Sequence, residues 1–259
     1  MPPLIDSHVH LDDAAFSLDR DAIIDRAASA GVEAMIVPGV DFDSWGRIRA
    51  LAASHREVHP AYGLHPMFLA NHAPMHVDAL SSWLDDPCAV AVGEIGLDFH
   101  ADGLDHDLQR HYFSRQLAVA RERDLPVIVH ARGALEEVSL TLRRSSGVRG
   151  VIHSFSGSEE QARRLWDMGF HLGIGGPVTY GRAQRLRRIV AGMPIEFLLL
   201  ESDAPDQPDA AHRGERNEPA HVTAVLRCVA SLRDETEAAV ASATCANARR
   251  LFKLGHQGN

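Results

Sequence analysis

Short apolar segments alternate with longer amphipathic segments along almost the whole chain, and this alternation constrains the fold more than any other feature. The short segments have the length and the apolar or β-branched composition of buried strands. Eight of them cover residues 4–8, 34–37, 59–63, 89–93, 127–130, 150–153, 170–173 and 197–201. The amphipathic segments predict helices over residues 21–30, 43–54, 105–123, 134–144, 158–168, 184–190, 219–231 and 235–252.

Strands that are apolar throughout and separated by helices are typical of a parallel sheet covered by helices. Eight strand–helix units are the number that closes a barrel, so the sequence predicts an α/β fold, a single (β/α)8 TIM barrel. A doubly wound open sheet is the alternative. No proline- or serine-rich linker and no low-complexity tract divides the chain, so we expect residues 1–259 to form one domain.

Composition and charge exclude several classes of protein. The net charge of −9 at pH 7 is not that of a protein that coats duplex nucleic acid, so any contact with nucleic acid must be local. Three widely spaced cysteines do not form a disulfide framework. Neither a signal-peptide pattern nor an apolar run of about 20 residues occurs. We expect a cytoplasmic protein with no membrane partner; a monomer is favoured, but the sequence leaves the oligomeric state open.

Histidines and carboxylates follow the ends of six predicted strands. Because the side chains that carry chemistry lie at the carboxyl ends of the strands in a βα barrel, we expect these residues to meet at one rim. They are His8, His10, His65, Glu94, Asp98, His130, His153, Glu201 and Asp203. One strand-end histidine alone is equally compatible with a polar rim residue, but imidazoles and carboxylates together predict a site for divalent metal ions.

The ordered motifs resemble the amidohydrolase superfamily and, more closely, its TatD-type metal-dependent deoxyribonucleases and hydrolases. The resemblance spans nearly the whole chain and is carried by DSHVHL at 6–11, GLHP at 63–66, GEIGLDF at 93–99, His130, HSFSG at 153–157 and ESDAPD at 201–206. It implies two divalent cations per chain, which are zinc, manganese, cobalt or magnesium by ligand type and availability. The implied ligands are His8, His10, Glu94 and Asp203 for one cation and Glu94, His130 and His153 for the other.

The only lysine of the chain, Lys253, lies near its end, far from any predicted strand. Many binuclear amidohydrolases bridge their metals with a carbamylated lysine at the end of the fourth strand, and Glu94 stands at that place here. The TatD resemblance implies that the two oxygens of this carboxylate bridge the cations. A Walker A phosphate-binding loop is excluded, since it requires a lysine.

These features lead to the hypothesis of a metal-dependent hydrolase that acts on ester bonds. The resemblance implies a deoxyribonuclease with exonuclease action on DNA, or an enzyme for a small phosphodiester. Asp203 and Glu94 are the candidate catalytic residues, because Asp203 can orient a water and accept its proton beside the cations that Glu94 bridges. His65 and Arg132 are the candidate substrate-binding residues, since each can donate to phosphate oxygens.

Other rim residues have two interpretations each. Asp98 either orients a ligand histidine or caps the following segment. Tyr180 either stacks a nucleobase beside Arg182 or only packs its own loop. Arg213 and Arg216 either contact phosphates or belong to a solvated loop.

Two alternatives remain for the function. The same site would serve a lactonase or amide hydrolase of the wider superfamily, because activated water attacks a carbonyl carbon as well as phosphorus. A metal-stabilised scaffold or binding protein is the other alternative. A serine hydrolase is disfavoured, since no G-x-S-x-G motif occurs.

Overall fold

The computed structural model describes residues 2–255, and within them eight strands form one sheet in chain order. Each strand pairs in parallel with the next. The strands are β1 (Leu4–Asp6), β2 (Val32–Pro38), β3 (Val58–Tyr62), β4 (Ala91–Asp98), β5 (Val127–Arg132), β6 (Gly150–Ile152), β7 (His171–Ile174) and β8 (Leu198–Leu200).

Backbone hydrogen bonds join the first and last strands of the sheet. The Ser7 N–H donates to the Leu200 carbonyl oxygen at 2.9 Å, and the Asp203 N–H donates to the His8 carbonyl oxygen at 2.9 Å. The sheet is therefore a nearly closed barrel. This confirms the predicted (β/α)8 TIM barrel and excludes the open doubly wound sheet.

Helices alternate with the strands and cover the barrel. They are α1 (Arg20–Ser29), α2 (Phe42–Ser54), α3 (Pro74–Trp83), α4 (His106–Glu122), α5 (Leu135–Arg144), α6 (Glu159–Asp167), α7 (Gln184–Gly192), α8 (Val222–Arg233) and α9 (Glu237–Phe252). Only α3 is outside the predicted ranges. Its N-cap position is held by Ala73, which has no side-chain oxygen, so the side-chain cap that usually marks a helix start is missing and only Pro74 at the first helical position marks it. No helix within residues 2–255 is long and apolar enough to cross a membrane.

The strand β4 continues past its predicted end at residue 93, so Glu94 lies within the strand instead of after it. The pairing with β5 extends through Gly96, which lies opposite His130. A side chain at position 96 would put its Cβ 2.0 Å from the His130 carbonyl oxygen, and the φ of +142° there favours glycine. Gly96 thus allows the two strands that carry Glu94 and His130 to approach closely.

An apolar plug fills the barrel below the polar rim. Ile128 lies two residues before His130 in β5 and so faces the same interior side of the strand. Its cluster joins strand residues to Cys245, Leu251 and Phe252 of α9. Helix α9 therefore closes the amino-terminal end of the barrel, and only the carboxyl end is open to a substrate.

Candidate metal centre

The structure brings all six predicted metal ligands together at the carboxyl end of the barrel. Each has a nitrogen or oxygen atom within 4 Å of another member of the set. They are His8, His10, Glu94, His130, His153 and Asp203. The side chains form two adjacent groups of donor atoms, and their ligand role stays a prediction.

The first donor set consists of His8 Nε2, His10 Nε2, Glu94 Oε2 and Asp203 Oδ1. His8 Nε2 lies 3.2 Å from His10 Nε2, 3.2 Å from Glu94 Oε2 and 3.5 Å from Asp203 Oδ1. His10 Nε2 lies 3.5 Å from Glu94 Oε2 and 3.8 Å from Asp203 Oδ1. Four ligands at about 2.1 Å from a tetrahedral ion are about 3.4 Å apart, so these separations match one coordination shell.

The second donor set consists of Glu94 Oε1, His130 Nδ1 and His153 Nε2. Glu94 Oε1 lies 3.0 Å from His130 Nδ1 and 2.8 Å from His153 Nε2, and the two nitrogens are 3.2 Å apart. Three protein donors leave coordination positions for water or substrate, as in catalytic sites. Glu94 gives one oxygen to each set, which is the geometry that a bridging carboxylate requires.

The chemistry of the donors also fits divalent cations. Imidazole nitrogens and carboxylate oxygens converge on each other, and all are acceptors once the histidines are neutral. A cation within each donor set would satisfy the lone pairs of that set. The residues present therefore fit divalent cations, and Glu94 contributes one oxygen to each donor set.

Asp98 fixes the orientation of His130. The His130 Nε2–H donates to Asp98 Oδ2 at 2.9 Å, which leaves Nδ1 free to face Glu94 and His153. Asp98 Oδ1 accepts the backbone N–H groups of His100 and Ala101 at 2.9 and 3.0 Å. Both interpretations of Asp98 therefore hold, since it orients a candidate ligand and caps the following turn.

Glu94 and the imidazoles around it shift one another's pKa values. Burial would raise the pKa of Glu94, but the surrounding imidazoles of His153, His65 and His8 hold it well below the usual range. Burial in turn opposes a charge on His153, yet Glu94 raises the pKa of His153 to about 10. Burial together with the His153 charge lowers the pKa of His8 well below the usual value. The carboxylate of Glu94 and the imidazole of His153 thus each favour the charged form of the other.

Asp203 is held in an uncommon backbone conformation. Its φ is +55°, in the left-handed region that non-glycine residues rarely adopt, and Ser154 across the site has a φ of +47°. Such conformations persist where surrounding contacts determine them, and they concentrate at functional sites. One such contact is the Gln207 side-chain amide, which donates both to Asp203 Oδ2 and to Ser154 Oγ.

His65 lies beside the second donor set. Its Nδ1 accepts the Met67 N–H at 3.1 Å, so its proton is on Nε2, which donates to Glu94 Oε1 at 2.9 Å. Burial lowers the pKa of His65 to about 4, so the ring is neutral at pH 7. With its proton directed into the site, His65 is placed to donate a hydrogen bond there, and its contact with substrate stays a prediction.

The site opens into a cavity of about 1460 Å³. Arg132 lines this cavity and is exposed, and its guanidinium has no hydrogen-bond or ion-pair partner among residues 2–255. An unpaired guanidinium beside the donor sets is available to an anionic group of a ligand. Its role as a substrate-binding residue remains a prediction.

The structure separates other rim residues from the site. The Tyr180 hydroxyl donates to the Pro208 carbonyl oxygen at 3.1 Å, so Tyr180 ties the loop after β7 to the loop after β8 and does not line the cavity. Arg216 forms an ion pair with Asp19 at 2.7 Å and is not free for phosphate. Arg213 is exposed and is not among the residues that line the cavity.

Sequence reasoning missed two polar residues of the site. It gave no role to Gln207, which holds Asp203, because glutamine in a loop carries no motif signal. It placed Glu201 at a strand end without a role, although this carboxyl is fully buried and its Oε1 accepts the Ser154 N–H at 2.6 Å. Burial raises the pKa of Glu201 to about 8. The signal that was available is its place in the ESDAPD motif.

Comparisons with known proteins agree on one family. Residues 5–253 match the family model described as TatD related DNase. The chain is 39% identical to YjjV of Escherichia coli K12, which is called an uncharacterized metal-dependent hydrolase, over 96% of this chain and 98% of that protein. It is 33% identical to the 3′-5′ ssDNA/RNA exonuclease TatD of Klebsiella pneumoniae, over 98% of this chain and 100% of that protein. The crystal structure of E. coli YjjV superposes with a TM-score of 0.94, at 37% identity over 97% of this chain and 98% of that one.

Proposed function

The chain belongs to the TatD related DNase family of metal-dependent hydrolases, and from this premise we propose that it hydrolyses phosphodiester bonds of nucleic acid as an exonuclease. One observation carries the proposal. Glu94 directs one oxygen to each of two donor sets, 3.2 Å from His8 Nε2 on one side and 2.8 Å from His153 Nε2 on the other. Paired cation sites of this kind suit the in-line displacement of a phosphodiester.

When bound, the two cations supply the activation of water and the neutralisation of charge on the phosphate oxygens. The ligands proposed for them are His8, His10, Glu94 and Asp203 for one and Glu94, His130 and His153 for the other. Zinc, manganese, cobalt and magnesium are the candidate ions.

Asp203 orients the attacking water and accepts its proton. Its Oδ1 faces the first donor set, and the Gln207 amide fixes its Oδ2. A carboxylate held from one side in this way presents its other oxygen in a constant direction, which general-base catalysis requires.

His65 and Arg132 bind the phosphate. The Nε2–H of His65 already points into the site, where it reaches Glu94. Arg132 lies two residues after His130 on the same strand, so both side chains face the cavity. Arg132 favours a phosphodiester over a neutral lactone or amide, because only an anionic substrate gains from its unpaired charge.

Elemental analysis combined with a substrate comparison tests this function. The protein is stripped with a chelator, reloaded separately with each candidate ion, and assayed on a chromogenic phosphodiester, on lactones and amides, and on end-labelled DNA and RNA. We expect about two cations per chain, hydrolysis of the phosphodiester, and stepwise shortening of the labelled strands from one end.

Matched variants separate catalysis from contamination. His130→Ala removes a proposed ligand and should abolish hydrolysis, whereas His111→Ala on the exposed face of α4 should not change it. If lactones or amides are cleaved and phosphodiesters are not, the proposed substrate class is wrong. If His130→Ala only lowers the melting temperature, the scaffold alternative is favoured.

A further inference from the structure

Three side chains line the cavity but take no part in the chemistry described above. Phe68 is 40% exposed on one wall, and Arg182 and Arg185 are exposed on another. We propose that they form two subsites for the parts of a nucleic-acid strand that flank the scissile phosphodiester. Phe68 stacks a base, and the two arginines bind phosphates. This inference rests on the proposed function, since it concerns the substrate of the same site.

Phe68 is fixed next to the candidate metal centre. Its N–H donates to the His65 carbonyl oxygen at 3.1 Å, and its ring meets the His65 ring edge-on at a centroid distance of 5.6 Å. His65 in turn contacts Glu94, so one side chain separates the aromatic ring from the shared carboxylate. Met67, which is 41% exposed, extends this apolar face. An exposed ring at this place offers a stacking surface to a base next to the cleaved bond.

Arg182 and Arg185 carry charges that no carboxylate neutralises within residues 2–255. The Arg182 guanidinium lies 5.5 Å from the centre of the Tyr180 ring, and the Tyr180 hydroxyl is anchored to Pro208. Arg185 donates to the Ser156 carbonyl oxygen at 2.8 Å, in the loop that follows His153. These contacts place the two guanidiniums without cancelling their charge, so both remain available to phosphate oxygens.

The other walls of the cavity carry charges of both signs. Asp13, Asp41 and Asp206 line them, and so do Arg20 and the ion pair of Asp12 with Arg47. The strands β3 and β7 are four places apart in an eight-stranded barrel, so the loops that follow them face each other across the axis. A nucleic-acid strand that runs from Phe68 to Arg182 and Arg185 therefore crosses the two donor sets.

Binding without turnover tests the subsites directly. In the inactive Asp203→Asn protein, fluorescence anisotropy gives the Kd of a labelled single strand of about 12 nucleotides over a range of salt concentrations. Arg182→Gln with Arg185→Gln should raise the Kd about tenfold and flatten the slope of log Kd against log salt by about 1.4, which is about 0.7 for each lost phosphate contact. Phe68→Leu should raise the Kd about tenfold with an unchanged salt slope, and Phe68→Trp should restore binding.

The control is Arg188→Gln. Arg188 is an exposed arginine of α7, the helix that also carries Arg185, but it does not line the cavity. This substitution should leave the Kd and the salt slope unchanged. Urea unfolding should show equal stability for all variants. The inference is overturned if the wild-type site does not bind the strand, or if the substitutions leave its Kd and its salt slope unchanged.

A parallel assay separates this inference from the proposed function. With Asp203 intact, the arginine and Phe68 variants should hydrolyse a small chromogenic phosphodiester at the wild-type rate. Their KM should rise only for oligonucleotides. Equal loss on both substrates contradicts subsites outside the reacting centre. If the predicted changes in Kd occur but no phosphodiester is cleaved, the subsites stand and the proposed function fails.

Discussion

The carboxylate of Asp98 and the imidazole of His130 form a partly buried pair in which the His130 Nε2–H donates to Asp98 Oδ2 at 2.9 Å. This bond fixes the tautomer of His130 and turns its Nδ1 toward the second donor set. Histidine ligands of metal ions are commonly oriented by such a carboxylate. The pair therefore links the carboxyl end of β4 to the proposed cation site on β5.

Asp98→Asn tests this link. An asparagine retains an oxygen that can accept the His100 and Ala101 N–H groups, but its amide would face His130 Nε2 with a donor and disfavour the required tautomer. We expect affinity for the second cation to fall about 10- to 100-fold. Calorimetric metal titration measures it, with Asp102→Asn in the exposed loop after β4 as control. Unchanged affinity for both cations would rule out the positioning role of Asp98.

Gln207→Ala removes the side-chain amide that donates to Asp203 Oδ2 and to Ser154. Because Asp203 would then lose a contact that orients it, we expect kcat to fall about tenfold while KM stays within about twofold. Steady-state kinetics on the small phosphodiester give both constants. Gln184→Ala is the matched control, since Gln184, the first residue of α7, donates only to the Gly181 carbonyl oxygen in the preceding loop. A change in KM alone would instead place Gln207 in substrate binding.

Gly96→Ala should destabilise the barrel at the site itself. The added Cβ would lie 2.0 Å from the His130 carbonyl oxygen, at a φ of +142° that alanine adopts with strain. We expect a loss of about 2–4 kcal/mol in the free energy of unfolding, from backbone strain and overpacking together. Urea denaturation measures it. Gly181→Ala, where no heavy atom lies within 4 Å of the new Cβ, should change stability by less than about 1 kcal/mol.

The buried His171 in β7 predicts a pH dependence of stability. Burial, aided by the charge of Arg250, lowers the pKa of His171 from 6.5 to about 4. Between these values the unfolded chain binds more protons than the folded one, so the free energy of unfolding falls as the pH drops from 6.5 toward 4. This group contributes at most about 2 kcal/mol of the loss between pH 7 and pH 5.

Urea unfolding of His171→Leu at pH 7 and pH 5 checks this prediction. Leucine is neutral at both pH values, so the variant should lose less stability on acidification than the wild type does. His111→Gln, on the exposed face of α4, should follow the wild-type pH dependence. If His171→Leu and the wild type lose equal stability, His171 is not the group responsible.

The sequence was sufficient for the barrel because its strands are buried on both faces and read as continuous apolar runs. It was less informative about where β4 ends. A charged residue such as Glu94 usually marks the end of a buried strand, but here it lies inside a strand that is buried along its whole length. The site histidines could be predicted because strand ends meet at one rim. Gln207 and Phe68 could not, since their roles depend on loop conformations that place them beside Asp203 and His65.

A crystal structure of the protein soaked with Mn²⁺, with anomalous diffraction data, tests the central claim most directly. Two anomalous peaks are predicted, one bound by His8, His10, Glu94 and Asp203 and one by Glu94, His130 and His153, at about 2.0–2.3 Å from the ligand atoms. Glu94 should contact both ions, and Glu94→Gln should weaken both peaks. Mn²⁺ bound elsewhere, or a fully loaded protein with no ion between these side chains, would contradict the account.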